Sequence, residues 1–368
     1  MLKIAIVGTR GIPNRYGGFE QFAEKLSSQL TDRGHFVTVY CRKPFTTPED
    51  VYDRRVRRVI LPSIHQKHLD TWSSGLISCI HAAFSDNDLV LLCNVANSPF
   101  AWFPRVLGKP VVLNVDGLDR RRGKWNALGQ ALLHLCEWVS TFTPTHVVTD
   151  ARSIHDYYRQ RYGKDSTVIG YGSDVPQKEL SLEPYDLQHD LQPERYVLYI
   201  SRLEPENNPE LVLAAWRKVR TDWPLVMVGN NRYDSGYEER LRQQADERVR
   251  FTGAVYDDGY WALQKHAGIF VFACEVGGVH PALIEAMASQ TAVLSLDSSE
   301  NNETAGDATI RYGKSPDELA RKLQALLDDE EARRHWAARA VERADRMFCW
   351  KRVAEQYEKL FAELLGRG

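Results

Sequence analysis

Apolar runs of four to six residues, each followed by a helical pattern, recur along this chain and leave it few folds to choose from. In the first half they are Leu2–Val7, Phe36–Cys41, Leu89–Cys93, Val111–Val115 and His146–Thr149. In the second they are Tyr196–Ile200, Leu225–Val228, Val249–Gly253, Gly268–Ala273 and Ala292–Leu296. Runs apolar on both faces suit strands of a parallel sheet, which crossover helices cover on both sides. Helical spacing supplies those crossovers at Phe22, Ala23, Leu26 and Leu30, over 209–220 and 237–245, and at Leu283, Ile284 and Met287. A further helix carries Ile154, Tyr157 and Tyr158, with Asp150 expected as its cap. Between Gly170 and Pro193 the pattern weakens into polar, proline-containing sequence, which reads as a linker. The expected fold is α/β, two doubly wound Rossmann-like domains facing a central cleft, over 1–172 and 173–349.

Composition narrows the function classes. A chain of 368 residues, 43% hydrophobic, is long enough for two cores. A formal net charge of -2 speaks against a dedicated nucleic-acid binder. The six cysteines are scattered, with no C-x-x-C pair, and read as small buried hydrophobes in a reducing compartment. MLKIAIVG reads as a first strand rather than a signal peptide, and no stretch approaches the ~20 apolar residues of a membrane span. The expected location is cytoplasmic, at most peripheral on the inner face of the plasma membrane.

Ligand chemistry concentrates in 272–290, FACEVGGVHPALIEAMASQ. A strand gives way to Gly277-Gly278-Val279-His280, and Pro281 opens a helix. Strand, glycine loop and helix hold phosphates because free N–H groups and the helix dipole point at the anion. Glu285, one turn inside that helix, can accept two hydrogen bonds from a vicinal diol such as a ribose; an ordinary first-turn acid is the plainer alternative. At the N-terminus, two glycine clusters (Gly8, Gly11; Gly17, Gly18) lead into a helix, but the spacing departs from G-x-G-x-x-G and argues against a dinucleotide site. Asp116 follows a strand directly, where ligands of open parallel sheets collect. Asp86-Asn87-Asp88 has the D-x-D form of a metal–diphosphate site, yet its setting before a strand favours a turn. Two basic clusters, Arg54 to Arg58 and Arg120, Arg121, Arg122, Lys124 with Trp125, stand in the same domain as the aromatics of 98–105. They read either as solvated faces or as a hold on an anionic or lipid-linked acceptor.

These fragments, taken in order, resemble retaining glycosyltransferases of family four, two-domain GT-B enzymes that use nucleotide sugars. The likeness rests on Gly17-Gly18, Ser201-Arg202-Leu203, Phe251-Thr-Gly253, Glu285-Ala-Met-Ala288 and the final Trp350 helix. GTRGIPNRYGGFE, LPSI…LDT, NVDGL and VGG-x-x-P are similar to the bacterial subgroup that includes polysaccharide rhamnosyltransferases. The resemblance implies that Arg202 holds the donor diphosphate with the amides of Gly17 and Gly18, and that Glu285 grips the ribose. It implies that the 277–280 loop lies along the transferred sugar, that Gly229 and Gly253 border the base, and that the 350–366 helix packs back on the first domain. Three positions depart from the family pattern. Asn207, expected among the donor contacts, stands where a lysine is usual. Gly277 stands where the first of two glutamates is usual, with Glu275 two residues away. Asp116 stands where a histidine is frequent.

The expected activity is transfer, with retention, of a sugar from a dTDP- or UDP-sugar to a lipid-linked or saccharide acceptor in bacterial surface polysaccharide synthesis. L-rhamnose is the first candidate sugar. Asp116, Arg202 and Glu275 are the expected catalytic residues, and no metal or other cofactor is expected. A nucleotide-sugar epimerase of the same fold and a catalytically silent nucleotide-sugar-binding scaffold are the rival readings.

Overall fold

The computed structural model describes the chain except for residues 16, 44, 65, 67, 68, 118–126, 232, 233 and 368. It divides into two compact units, Met1–Tyr171 with Trp350–Gly368, and Gly172–Cys349. In the first, β1 (Lys3–Val7), β2 (Phe36–Arg42), β3 (Arg57–Leu61), β4 (Leu89–Cys93), β5 (Val111–Val115), β6 (His146–Thr149) and β7 (Thr167–Val168) form one sheet. Its order is β3-β2-β1-β4-β5-β6-β7. In the second, β8 (Val197–Ile200), β9 (Leu225–Val228), β10 (Val249–Gly253), β11 (Ile269–Phe272), β12 (Ala292–Leu296) and β13 (Ile310–Tyr312) lie in the order β10-β9-β8-β11-β12-β13. Every pairing between neighbours is parallel. Each sheet therefore reverses its winding once, between β1 and β4 and between β8 and β11.

The pleat explains the continuous apolar runs. In the second unit Val197, Tyr199, Ile269 and Val271 face a cluster holding Trp216, Leu319 and Leu323. Their neighbours Tyr196, Leu198, Phe270 and Phe272 face the other cluster, with Leu263, Leu283 and Met287. Successive side chains of one strand thus feed two cores. Helices α7 (Pro209–Trp216) and α12 (Pro316–Asp328) cover one face. The other is covered by α9 (Asp257–Lys265), α10 (Pro281–Ala288) and α13 (Glu330–Met347). The last helix, α14 (Trp350–Leu364), buries Trp350, Val353, Ala354, Tyr357, Leu360 and Phe361 against the first unit. Phe22 of α1 (Gly18–Asp32) meets Tyr357 at 5.7 Å and Trp350 at 6.2 Å between ring centroids, and Tyr357 Oη accepts from Asn114 Nδ2 at 2.6 Å. Each large side chain so buried contributes about 1.5–3 kcal/mol.

Several elements differ from the sequence reading. The basic run around 54–58 is partly strand: Arg57 and Arg58 open β3, and Arg58 Nη2 donates to the Asp50 carbonyl at 2.7 Å. Charge patterning hid a sheet edge. The stretch 173–193 contains α6 (Glu183–His189), and Leu180, Leu182 and Leu191 are buried in the second core, so it is packed structure rather than a bare linker. Helix α2 (Asp70–Phe84), α9, α11 (Ser299–Ala305) and β13 went unread. Helix α5 (Arg152–Tyr162) begins two residues after Asp150, with extended Ala151 at its cap position and no side-chain cap.

Candidate functional site

In a doubly wound sheet, the crevice for ligands opens at the carboxyl ends of the two strands where winding reverses, because their following loops diverge. In the second unit these are β8 and β11, and their loops, 201–208 and 274–280, are stitched together at the base. Glu275 N donates to the Glu206 carbonyl at 3.1 Å, Asn208 Nδ2 to the Ala273 carbonyl at 2.9 Å, and Ser201 Oγ lies 3.3 Å from Cys274 Sγ. Asn208 adopts a left-handed φ of 53°, which asparagine tolerates, and Pro209 then opens α7.

Arg202 stands at the head of this crevice. Its side chain is 32% exposed and its Nη1 lies 3.3 Å from Glu204 Oε2. Asn207, expected among the donor contacts, is 4% exposed; its Nδ2 donates to the Arg202 carbonyl at 2.7 Å. That amide is committed to bracing the loop from inside. Tyr199 Oη donates to the Asn207 carbonyl at 2.9 Å from below.

Two glycines expected beside the base differ in what they require. Gly229, at φ +139°, would place a β-carbon 1.8 Å from the Ser201 carbonyl oxygen, so the loops after β8 and β9 approach too closely for any side chain. Gly253, at φ +73°, has open space around it. Its carbonyl accepts from Gly229 N at 2.8 Å.

In the 274–280 loop, Gly277, Gly278 and Val279 are buried. A β-carbon at Gly277 would lie 2.3 Å from His280 Cε1, and the His280 ring packs 5.0 Å from that of Phe272. The missing side chain at 277 and the inward histidine are one packing arrangement. Glu275, expected to be catalytic, is ion-paired with Lys314, which follows β13. Glu285, on α10, is 1% exposed. Its Oε2 accepts a hydrogen bond from Tyr260 Oη, and Tyr260 Oη in turn accepts from Gln264 Nε2 at 3.0 Å. Burial raises the Tyr260 phenol pKa well above its ordinary value and the Glu285 charge adds to it, so Tyr260 is the donor to the carboxylate. Sequence reading missed Tyr260 and Gln264 because α9 went unread; the acids Asp257 and Asp258 ahead of Trp261 and Leu263 were the available signal.

The first unit has its own crevice, between β1 and β4. Gly8, at φ +100°, would put a β-carbon 2.3 Å from the Cys93 carbonyl oxygen. Arg42 is 3% exposed beneath the loop. It donates to Asp70 Oδ2 at 2.7 Å and to the Thr9 carbonyl at 3.1 Å, and Ser63 Oγ donates to Asp70 Oδ1 at 2.8 Å. Burial lowers the Arg42 pKa and Asp70 opposes the shift. Gly17 is the extended cap residue of α1 and Gly18 its first residue; Glu20, in that first turn, accepts from Arg10 N at 2.8 Å. Asp116 sits half-buried after β5. Burial drives the Cys93 thiol pKa well up, and the charges of Asp116 and Glu20 add to it, so both carboxylates act on this end of the sheet. Asp86 and Asp88 lie at the other end, where Asp88 Oδ2 accepts from Lys3 N at 2.7 Å and Asp86 pairs with the Lys3 ammonium at 2.5 Å. The acceptor candidates Arg120, Arg121, Arg122, Lys124 and Trp125 lie outside the described residues. Among the described residues no group of three or more His, Cys, Asp or Glu is gathered as a metal site requires.

Two family models match the chain, one in each half. "Glycosyltransferase Family 4" matches residues 16–175 and "Glycosyl transferases group 1" matches residues 187–343. A phosphatidyl-myo-inositol mannosyltransferase of Mycolicibacterium smegmatis is 31% identical over 186 residues, 47% of this chain and 46% of that protein. The match thus spans about half the length of that relative. Among solved structures, sucrose-phosphate synthase of Thermosynechococcus elongatus superposes with a TM-score of 0.83 at 18% identity, covering 100% of both chains. HepE of Anabaena in complex with UDP-glucose superposes with a TM-score of 0.79 at 15% identity, again over 100% of both. The chain has the GT-B fold, with a glycosyltransferase family model matching each of its halves.

Proposed function

We propose that this protein is a retaining glycosyltransferase. It moves a sugar from a nucleoside diphosphate donor to a hydroxyl of a lipid-linked or saccharide acceptor, in bacterial surface polysaccharide synthesis. The observation that carries the reading is the crevice after β8 and β11, where a braced loop presents Arg202 and α10 carries the buried, Tyr260-held Glu285. A UDP-glucose complex of the structural neighbour HepE supports a UDP- or dTDP-linked donor.

In this reading Arg202 meets the leaving diphosphate and Glu285 accepts hydrogen bonds from the ribose diol. The bond from the sugar C1 to the diphosphate oxygen breaks as the acceptor oxygen bonds to C1 from the same face. The acceptor proton passes to the leaving diphosphate. Preorganised charge at Arg202 stabilises the developing anion, an effect worth about 3–4 kcal/mol for a single donor in comparable sites. No divalent ion is needed, and turnover should survive EDTA.

The transferred sugar is proposed to be a deoxyhexose, L-rhamnose first. Gly277 has no side chain, and Glu275, the nearest carboxylate in sequence, is engaged by Lys314. Buried Val279 and the inward His280 ring make a wall that suits a methyl group. A donor panel with one acceptor tests this, and preference for a fully hydroxylated hexose would reject the deoxysugar while leaving the transferase.

Calorimetry tests the donor site itself. Glu285→Gln should weaken UDP binding by roughly tenfold to a hundredfold, since hydrogen bonds to a charged group contribute about 1.5–3 kcal/mol. Unchanged binding by the folded variant would remove Glu285 from the site.

A further inference from the structure

Six exposed apolar side chains lie on neighbouring elements of the first unit. Trp102 and Val106 lie on α3 (Trp102–Val106), Leu132, Leu135 and Trp138 on α4 (Ala127–Val139), and Phe142 three residues beyond it. Each is between 40% and 66% exposed. The two elements are joined, because Arg105 Nη1 donates to the Phe142 carbonyl at 2.6 Å and to that of Thr143 at 3.0 Å. The Trp138 and Phe142 rings meet at 4.8 Å. Positions 132, 135 and 138 follow one stripe of the helix, while Leu133, Cys136 and Glu137 are buried on its other side. A helix apolar on both sides is one that something covers.

Charge identifies what covers it. Helix α4 has no lysine or arginine, and its one carboxylate, Glu137, is 2% exposed, so no acid of this helix points outward. Beside the stripe, Ala131, His134, Leu135, Trp138, Arg161 and Tyr162 line an open groove of about 630 Å³. Arg159 and Arg161 at the end of α5 are both exposed. Tryptophan and tyrosine with an apolar body and a polar tip, flanked by arginine, match the boundary between lipid headgroups and acyl chains. No described helix is long and apolar enough to cross a membrane, so the fit is to the surface of a bilayer and not to its interior.

We propose that the face formed by α3, α4 and Phe142 docks on an anionic lipid surface. Trp138 and Phe142 enter the acyl boundary, and Arg161 meets lipid phosphate at the groove. This deepens the lipid-linked acceptor reading and rests on it for its purpose, while donor binding in the second unit remains a separate readout.

Vesicle flotation tests it, with phosphatidylglycerol–phosphatidylcholine vesicles against phosphatidylcholine alone. The full chain should float with the anionic vesicles. Trp138→Ser with Phe142→Ser should lower that partition by about tenfold or more, because binding scales with the apolar area inserted. Arg161→Glu, an exposed change that spares the fold, should lower binding to anionic vesicles alone. Melting temperature and UDP binding should stay at parent values in each variant. Flotation by neither vesicle, equal flotation of parent and variants, or a concentration-dependent dimer without lipid that the aromatic variant abolishes would overturn the proposal, the last in favour of a second copy of this chain. Lost UDP binding with intact flotation would instead overturn the donor reading and leave this one standing.

Discussion

The two crevices have the same topology and use arginine in opposite ways. In the first unit Arg42 lies under the glycine loop, 3% exposed, consumed by Asp70 and by backbone carbonyls. In the second, Arg202 heads the crevice at 32% exposure, beside a carboxylate and on a loop braced by Asn207. A guanidinium whose donors are spent on its own chain holds a loop in place; one left partly in solvent is available to an anion. One fold thus yields a structural cation and a presented cation at equivalent ends of two sheets.

The largest expected effect separates these roles. Arg42→Met leaves Asp70 buried without its ion-pair partner and should cost about 3–5 kcal/mol of stability in urea unfolding. Arg202→Met takes a partly exposed guanidinium from the buried Glu204 carboxylate and should cost less, about 1–2 kcal/mol, while lowering turnover roughly a hundredfold or more. Equal stability losses from both would erase the distinction.

A smaller effect sharpens the account of the second crevice. Gly229→Ala drives a β-carbon into the Ser201 carbonyl at a φ of +139° and should cost about 3 kcal/mol. Gly253→Ala meets open space at φ +73° and should cost only about 1–2 kcal/mol, the strain of the left-handed region. Thermal melting of the pair reads the difference directly. A reversed order would mean that the Ser201 loop moves aside freely and does not hold Arg202 in place.

The smallest effect concerns a second group that the first unit spends on itself. Burial pushes the Glu358 carboxyl pKa up, but Arg33 at 2.6 Å and His35 at 3.0 Å outweigh it and hold the pKa below its ordinary value. A depressed carboxylate contributes stability that is present above its unfolded pKa and lost as pH falls through the folded one. Glu358→Gln should therefore cost about 0.5–1 kcal/mol at neutral pH, with the gap from the parent closing as pH is lowered through and below the carboxylate range. A gap that stays constant with pH would show that α14 is held by its aromatic face alone.

Strand runs such as Leu89–Cys93 and Ala292–Leu296, the glycine loops at 8–18 and 277–280, and helix α10 with Glu285 were legible in the sequence itself. They depend on local periodicity and on backbone freedom, which a few neighbouring residues determine. The doubly wound α/β class followed from their alternation. What the side chains do was decided only by tertiary structure. Arg42 meets Asp70 28 residues away, Tyr260 meets Glu285 25 residues away, and Asn114 meets Tyr357 243 residues away. Spacing could not show that Glu275, expected to be catalytic, has Lys314 beside it after β13, or that Asn207, expected among the donor contacts, turns its amide to the Arg202 carbonyl. The outward apolar stripe of α4 could not be told from its inward one by spacing, because both sides are hydrophobic. Burial and hydrogen-bond satisfaction are properties of the packed chain, and they select one partner among many that the sequence permits.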